Sequence, residues 1–331
     1  MNAYLKIVSK IGIPVAGLLA LSACGGGGDS GLGNTVGSHS PTTVSGTAAK
    51  GLVKQANVLV CRIVNGIPEA DATCASGTTG PDGSFSVTMS DGYTGPAMIK
   101  VIAGTGTTML DETTGTYIPY NMTMRAMVPA VSATTTVYVT PFSEMAASAM
   151  GTSGIDAGKI TQAMTTVGTM MAGLGVDLSI KPMMDLKNNG SDPAMLGQQA
   201  NMVKQLTRVM MAAKYAGSLK DSNGAACNAT GTSTPQQIAC TVNVMASVMT
   251  GAATTDPTKA ATVLAALNAQ TVTTAYMPII KADGTLAMPM QSVDMTSTTT
   301  TSTSMQAAMQ SAGMTTTAAP STVTTMMPRM H

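Results

Sequence analysis

The stretch Ala56-Asn57-Val58-Leu59-Val60-Cys61 decides the fold of the first half of the chain. Its apolar residues alternate and many are β-branched, which is the pattern of a half-buried β-strand. A second such stretch, Ser84-Phe85-Ser86-Val87, follows the turn Pro81-Asp82-Gly83, in which Asp-Gly supplies the positive φ that tight turns need. These features predict β-sheet structure here.

Four further stretches in this part of the chain have the composition of short strands. They are residues 97–103, 116–119, 122–127 and 135–139. Several short strands separated by turn signals are typical of a sandwich or a barrel. We therefore predict a β-sandwich domain over residues 48–140.

The same region resembles the carboxypeptidase regulatory-like domain. The likeness rests on Gly51-Leu52-Val53, on the strand after it, and on Asp82-Gly83-Ser84-Phe85 with its alternating apolar residues, and it covers residues 49–103. The chain departs from the common pattern at Leu52 and in the long insertion before Asp82. The resemblance implies a transthyretin-like β-sandwich that has no catalytic residues of its own.

Residues 141–285 change to helical patterning. Pro follows Thr or Asp at Thr140-Pro141, Asp192-Pro193, Thr234-Pro235 and Asp256-Pro257, so that the first residue caps a helix and Pro fills a position that needs no donor. Thr234 with Gln237 also fits a capping box, and Asp156 is expected to cap another helix.

Two apolar stripes have helical spacing. They are Ile160, Met164, Val167, Met171 and Leu174, and then Ile238, Val242, Met245 and Met249. We predict about five helices in a small α-helical bundle, so that the fold class is α+β with more than one domain.

The beginning of the chain has the order of a secretory signal. Lys6 and Lys10 precede a short apolar stretch, which ends at Leu21-Ser22-Ala23-Cys24. This end resembles the lipobox of bacterial lipoproteins, which implies removal of residues 1–23 and acylation of Cys24. The alternative is a retained membrane-spanning helix, but an apolar core of about eleven residues falls short of the ~20 that a span needs. Gly25 stands where Asp would resemble an inner-membrane retention signal, so the resemblance favours the outer membrane.

Two segments lack any regular hydrophobic period. Residues 24–47 are rich in Gly, Ser and Thr and are predicted to form a flexible tether. Residues 286–331 consist largely of Thr, Ser and Met with very few charges, and are predicted to form a disordered tail.

Four cysteines remain once Cys24 is assigned to lipid. Cys61, Cys74, Cys227 and Cys240 allow three pairings. The local pairing, Cys61–Cys74 and Cys227–Cys240, places one disulfide of equal separation in each predicted domain. A metal site is disfavoured, because there is no C-x-x-C spacing and no His near either pair.

Composition excludes several classes of function. The 17 basic residues include Lys6 and Lys10, so the chain beyond residue 23 carries 15 basic and 16 acidic residues. This balance gives no excess of positive charge that would favour binding to nucleic acid. Aromatic residues make up 3% of the chain and Trp is absent, so stacking platforms for sugars or single-stranded nucleic acid are scarce. The two histidines, His39 and His331, lie in the predicted tether and tail, so no Ser-His-Asp or Cys-His site is expected in the folded part.

Two groups of carboxylates are candidate sites. Asp111 and Glu112 are neighbours, and strand neighbours point to opposite faces, so we expect a solvated loop pair rather than a catalytic pair. Residues 185–192 superficially resemble a calcium loop, but Lys187 takes a ligand position and Leu196 stands where a Glu ligand belongs. Asp192 is better explained as a helix cap.

The 30 methionines are the unusual chemical resource of the chain. Their thioethers are soft ligands that suit Cu(I). The candidate groups are Met122 with Met124, Met288 with Met290, and Met326, Met327 and Met330 with His331. Packing explains the methionines on the helix stripes, and Arg329 disfavours a cation at the last group.

These features together predict a non-enzymatic lipoprotein of the cell outer membrane, without a cofactor, that has a structural or binding role at the cell envelope. Its partners would be the membrane, through the lipid on Cys24, and an envelope protein or polymer. Copper(I) binding through methionines is the alternative. An accessory hydrolase or glycan-binding role is a third hypothesis, which the scarcity of His and aromatic residues disfavours.

Overall fold

The structure, a computed structural model, describes residues 40–171, 174–215, 219–221, 223–248 and 257–296, together with Ala307. The predicted signal segment, Cys24 and most of the predicted tail lie outside these residues. The described residues form fifteen strands and six α-helices, which confirms an α+β fold class. No helix among them combines the length and the apolar character that a membrane crossing needs.

β-Structure occupies the chain from Thr42 to Val139 and returns after residue 183. The strands are β1 (Thr42–Ala48), β2 (Val53–Lys54), β3 (Asn57–Val64), β4 (Ile67–Pro68), β5 (Ala75–Thr78), β6 (Ser84–Met89), β7 (Ala97–Ile102), β8 (Thr108–Asp111), β9 (Thr116–Pro119), β10 (Thr123–Val128), β11 (Thr134–Val139), β12 (Met184–Asp185), β13 (Thr274–Met277), β14 (Ile279–Ile280) and β15 (Gln291–Asp294). The strands predicted at 97–103, 116–119, 122–127 and 135–139 are all present, with bounds within one residue of the prediction.

Two sheets contribute to one hydrophobic core. The first has the order β11-β1-β6, and the second has the order β10-β7-β3-β4, with β5 also paired to β3. Inward-facing residues of both, among them Val44, Val58, Phe85 and Ile99, are buried in the same cluster. A third sheet, β2-β8-β9, forms no strand pairs with these two sheets, and its strand β8 ends at Asp111.

The first strand begins earlier than the sequence indicates. The predicted tether ends at residue 47, whereas β1 occupies Thr42–Ala48 and pairs with β11 in parallel and with β6 in antiparallel fashion. Its backbone groups therefore have partners on both sides, and a strand in that position tolerates Ser, Thr and Gly. Val44 is fully buried, and a Cβ at Gly46 would lie 1.7 Å from the carbonyl oxygen of Val137. The close approach of two backbones explains the glycine in this strand.

Six helices follow the strands of the first half. They are α1 (Pro141–Ala149), α2 (Ala157–Met171), α3 (Leu186–Asn189), α4 (Pro193–Tyr215), α5 (Thr234–Ser247) and α6 (Pro257–Asn268). The predicted caps of three helices are confirmed. Thr140 accepts a hydrogen bond from the Ser143 amide at 3.2 Å at the start of α1. Asp156 and Asp192 make the corresponding bonds at 2.8 and 3.0 Å for α2 and α4.

The capping box of α5 lies one residue earlier than predicted. Ser233 precedes the helix, and the side chain of Gln236 accepts its backbone N–H at 2.8 Å. Thr234 is already the first helical residue. Gln237, its predicted partner, instead donates to the carbonyl oxygen of Thr232 at 3.1 Å.

The predicted helix stripes face the core. Their buried members are Ile160, Val167 and Met171, with Leu174 just beyond α2, and Ile238, Val242 and Met245 of α5. Met164 is half-buried, and Met249 lies outside the described residues. Residues of α1, α2, α4, α5 and α6 belong to the same cluster as the strands, so strands and helices share one continuous core.

Short strands also lie where the sequence predicts helix or disorder. β12 pairs with β14 in parallel, and β13 pairs with β15 in antiparallel fashion. Of these strands, β12 to β14 interrupt the predicted helical region 141–285, and β15 lies inside the predicted tail 286–331. Val293 and Met295 are buried in a second cluster with Met184 and Val203. Because Val293 and Met295 enter a core, residues 291–295 belong to the folded part, and the predicted start of the tail at residue 286 is too early.

Candidate binding cavity

A cavity of about 470 Å³ lies among β10, β11, α1 and α2. Its apolar lining includes Met127, Val137, Ala146, Ile160, Met164 and Leu178. Clefts that bind small molecules usually measure about 300–1,000 Å³ and are mostly apolar, so the size and lining fit a ligand site. The methionine side chains are unbranched and adaptable, which suits a site that adjusts to its ligand.

An ion pair fixes helix α1 against strand β10 beside this cavity. Glu144 accepts the backbone N–H of Arg125 at 2.6 Å and the guanidinium Nε of the same residue at 3.1 Å. Arg125 also donates from Nη2 to the Ser148 hydroxyl at 2.9 Å. Since Glu144 is almost wholly buried, its charge needs these partners, and they hold the helix in one position on the strand.

The lining of the cavity is uncharged. Among the described residues that line it there is no Asp, Glu, Lys, Arg, His or Cys. Two of its hydroxyls already donate within the protein, from Ser143 to the carbonyl oxygen of Arg125 at 2.9 Å and from Ser179 to Asp177 at 2.7 Å. Burial, together with a nearby carboxylate, raises the pKa of Tyr138, which therefore stays neutral. The cavity offers a ligand apolar contact and no acid or base for proton transfer.

A second cleft, of about 750 Å³, includes Arg125 and Glu144 in its lining. Its other charged residues are also paired. Lys100 lies 2.5 Å from Asp71, and Glu69 lies 2.8 Å from an arginine of β3. Because these charges already have partners, the apolar cavity is the stronger candidate for a ligand site.

Asp111 and Glu112 are buried, which corrects the prediction of a solvated pair. Glu112 pairs with Lys50 at 3.2 Å, and Asp111 pairs with Lys214 of α4 at 2.6 Å. Burial alone raises the pKa of Asp111, but hydrogen bonds from Lys214 and from Thr113 outweigh it and hold the pKa below its ordinary value. The two acids, through Lys50 and Lys214, join the strand region to α4.

The four cysteines pair locally, as predicted. The sulfur atoms of Cys61 and Cys74 lie 2.00 Å apart, and those of Cys227 and Cys240 lie 2.01 Å apart. Asp71 has a carboxylate oxygen within 4.8 Å of both sulfurs of the first pair. That group has no thiolate to offer a metal, because both sulfurs are in the disulfide.

The stretch 185–192 forms helix ends rather than a ring of calcium ligands. The carboxylate of Asp185 caps α3, accepts from Asn188, and pairs with Lys181 at 2.7 Å. Asp192 caps α4, as predicted. Both carboxylates therefore have structural partners.

The methionine groups proposed for copper are only partly described. Met124 is fully buried in the core, and Met290 is 8% exposed, whereas Met288 is 64% exposed. Neither of the two described groups presents two accessible thioethers. The remaining site predictions, at Cys24, Met326, Met327, Met330 and His331, fall outside the described residues, as does His39 of the predicted tether.

Sequence reasoning missed Lys50 and Lys214, the cavity, and the burial of the two acids. One signal was present: Lys50 is the only charged residue in the run Ala48-Ala49-Lys50-Gly51-Leu52-Val53. A lone Lys in an apolar run indicates a buried ion pair. Comparison with protein-family models, curated proteins and solved structures finds no match to this chain.

Proposed function

We propose that this chain is a lipid-anchored, non-enzymatic protein of the cell envelope that binds an uncharged, apolar ligand. The observation that carries the binding role is the cavity of about 470 Å³ among β10, β11, α1 and α2, whose described lining contains no charged side chain. A catalytic site needs groups that move protons or attack bonds, and Tyr138, the titratable residue of this lining, is held neutral.

The architecture we infer is a β-sandwich with a helical layer on it, anchored through Cys24. Two sheets that share one core support the sandwich, and the shared burial of α1, α2, α4 and α5 supports the helical layer. The lipobox-like run Leu21-Ser22-Ala23-Cys24 supports the anchor. The Gly, Ser and Thr content of the stretch between Cys24 and β1 supports a tether between anchor and domain.

The binding role is tested with an uncharged apolar dye, N-phenyl-1-naphthylamine, whose fluorescence rises in apolar surroundings. The protein should bind the dye more tightly than its sulfonated analogue, because a sulfonate finds no counter-charge in the lining. Met164→Trp fills the cavity with a larger side chain and should weaken dye binding about tenfold or more. Thr165→Trp is the matched control, since Thr165 is the exposed neighbour on the same helix.

Equal loss of dye binding in Met164→Trp and Thr165→Trp would show that the dye binds elsewhere and would refute this site. Undiminished binding in Met164→Trp would do the same. The chain has no natural Trp, so the fluorescence of the new residue also reports directly whether the side chain at 164 becomes more shielded when a ligand enters.

The anchor is tested separately by mass spectrometry of the amino terminus and by membrane fractionation. We expect an acylated residue at Cys24 and a membrane-bound pool, which Cys24→Ala should abolish. Copper(I) binding is the alternative function. Anaerobic uptake of Cu(I) that disappears when Met326, Met327 and Met330 are changed to Leu would favour it.

A further inference from the structure

Two cations of α4 differ from the other buried or half-buried lysines and arginines in the described part of the chain. Most of those others pair with a carboxylate, namely Lys50, Arg62, Lys100, Arg125, Lys181, Lys214 and Lys281. Half-buried Lys54 lies over the ring of Tyr117 instead, with Nζ 3.5 Å from the ring centre. Lys204 and Arg208 are half-buried and pair with no carboxylate of the described residues. Four positions apart on one helix, they lie on the same face, with Cβ atoms about 5–6 Å from each other.

The hydrogen bonds of these two side chains leave one edge of the guanidinium without an acceptor among the described residues. Lys204 Nζ donates to the carbonyl oxygen of Met295 at 3.3 Å, and Arg208 Nη1 donates to Gln205 Oε1 at 3.2 Å. Gln205 is itself held by a bond of 3.0 Å to Asn201. Arg208 Nε is buried and has no acceptor. Its neighbour Nη2 also donates to no described residue, so the Nε–Nη2 edge is unpartnered.

This arrangement is unfavourable without an anion. A buried donor without an acceptor costs about 1–3 kcal/mol, and like charges one turn apart repel each other. Burial lowers the pKa of Lys204, and the charge of Arg208 lowers it further. Burial also lowers the pKa of Arg208. An anion held by both cations would reverse each of these effects.

The chain itself has few acids left that could supply this anion. Outside the described residues, the sequence contains only two acidic side chains, Asp29 and Asp256, and none after Asp294. The ligand is therefore expected to come from outside the chain.

We propose that Lys204 and Arg208 form a binding site for the phosphate group of a small ligand. Nη2 and Lys204 Nζ bind oxygens of the phosphate, and Nε, which neighbouring atoms cover in this structure, joins Nη2 in a side-by-side pair once a small movement of the Arg208 side chain uncovers it. Phosphate suits the pair better than a carboxylate does, because a phosphate monoester carries about −1.5 to −2 charges at pH 7 and so compensates both cations.

The test is calorimetric titration of the purified protein with inorganic phosphate, in chloride buffer of constant ionic strength. Arg208→Gln should weaken phosphate binding about tenfold or more, and so should Arg208→Lys, which keeps the charge but lacks the fork. Lys204→Gln should also weaken it. Lys187→Gln is the control, because Lys187 is an exposed lysine on α3. This variant should bind phosphate as tightly as the parent protein does.

Three results would overturn the proposal: no phosphate binding above that of chloride, unchanged binding in Arg208→Gln, or parent-like binding in Arg208→Lys. Glycerol phosphate and vesicles that contain phosphatidic acid, added in parallel, separate a soluble phosphate ester from a lipid headgroup. The melting temperature in chloride buffer without phosphate shows whether a variant has lost binding through misfolding. There, Arg208→Gln should melt at the same temperature as the parent protein or higher, since the substitution removes an uncompensated charge.

Discussion

Lys50 and Glu112 form an ion pair of 3.2 Å in which the two side chains are 0% and 1% exposed. The second carboxylate oxygen of Glu112 accepts the backbone N–H of Gly51 at 2.6 Å, and Lys50 also donates to the carbonyl oxygen of Leu206 in α4 at 3.2 Å. One buried pair thus connects the turn before β2, the loop after β8 and a helix. Because the interior gives a lone charge no solvation, each residue depends on the other.

Lys50→Met should lower the free energy of unfolding by about 3–5 kcal/mol, because it leaves the Glu112 carboxylate buried without its cation. The double variant with Lys50→Met and Glu112→Leu should recover much of that loss, since it removes both charges. Urea denaturation followed by circular dichroism measures both. Lys187→Met, at an exposed lysine, should change stability by no more than about 0.5 kcal/mol. A double variant as unstable as the sum of the two single variants would contradict this account of the pair.

The ion pair of Asp111 and Lys214 should make the free energy of unfolding depend on pH. The pKa of Asp111 is lower in the folded protein than its ordinary value of ~3.9, so the pair stabilises the fold fully above about pH 4 and less as the pH falls through the folded pKa. In Lys214→Met, Asp111 loses the hydrogen bond and the charge of Lys214 and keeps only the hydrogen bonds from Thr113, so its pKa in the folded protein should rise. The variant should be less stable than the parent protein at neutral pH, and acid should remove less of its stability, because the folded pKa of Asp111 is no longer as far below the unfolded value. Melting temperatures between pH 2 and 7 test this, and parallel curves for the two proteins would refute it.

Each disulfide should contribute about 3 kcal/mol to stability, because each closes a short loop of the unfolded chain. Both pairs span 13 residues, so the double variants Cys61→Ala/Cys74→Ala and Cys227→Ala/Cys240→Ala should lose similar amounts. Denaturation with and without reductant measures the contributions. In each double variant, a reductant can break only the one remaining disulfide, so reduction should lower the free energy of unfolding about half as much as it does in the parent protein. A loss as large as that of the parent protein would contradict the pairing.

Local patterns in the sequence predicted most of the strands and helices, because alternation, turn residues and caps act over a few positions. The cap at Thr140 and the strand at Thr116–Pro119 are examples. The burial of Glu112 could not be predicted in this way, since its partner Lys50 is 62 positions away, and Lys214 is 103 positions from Asp111. The cavity is likewise built from elements distant in sequence. Strand β1 was missed because pairing on both sides, rather than hydrophobicity, places it in the sheet.

Two Gly→Ala substitutions should have effects of opposite sign. At Gly46 a Cβ would lie 1.7 Å from the carbonyl oxygen of Val137, so Gly46→Ala must push β1 away from β11 and should destabilise the protein by about 1–3 kcal/mol. At Gly168, inside α2, a Cβ has nothing within 4 Å, and Ala should stabilise the helix by about 0.5–1 kcal/mol.

The midpoints of urea denaturation compare the two variants directly. Each substitution removes one glycine from the unfolded chain, so the change in unfolded-state entropy is nearly the same in both. The difference between the two therefore reports the contact in the folded state, and a stabilising or neutral Gly46→Ala would show that β1 and β11 are not packed as closely as described. Loss of stability in Gly46→Ala together with a gain in Gly168→Ala would place residues 42–48 inside the folded protein rather than in a tether.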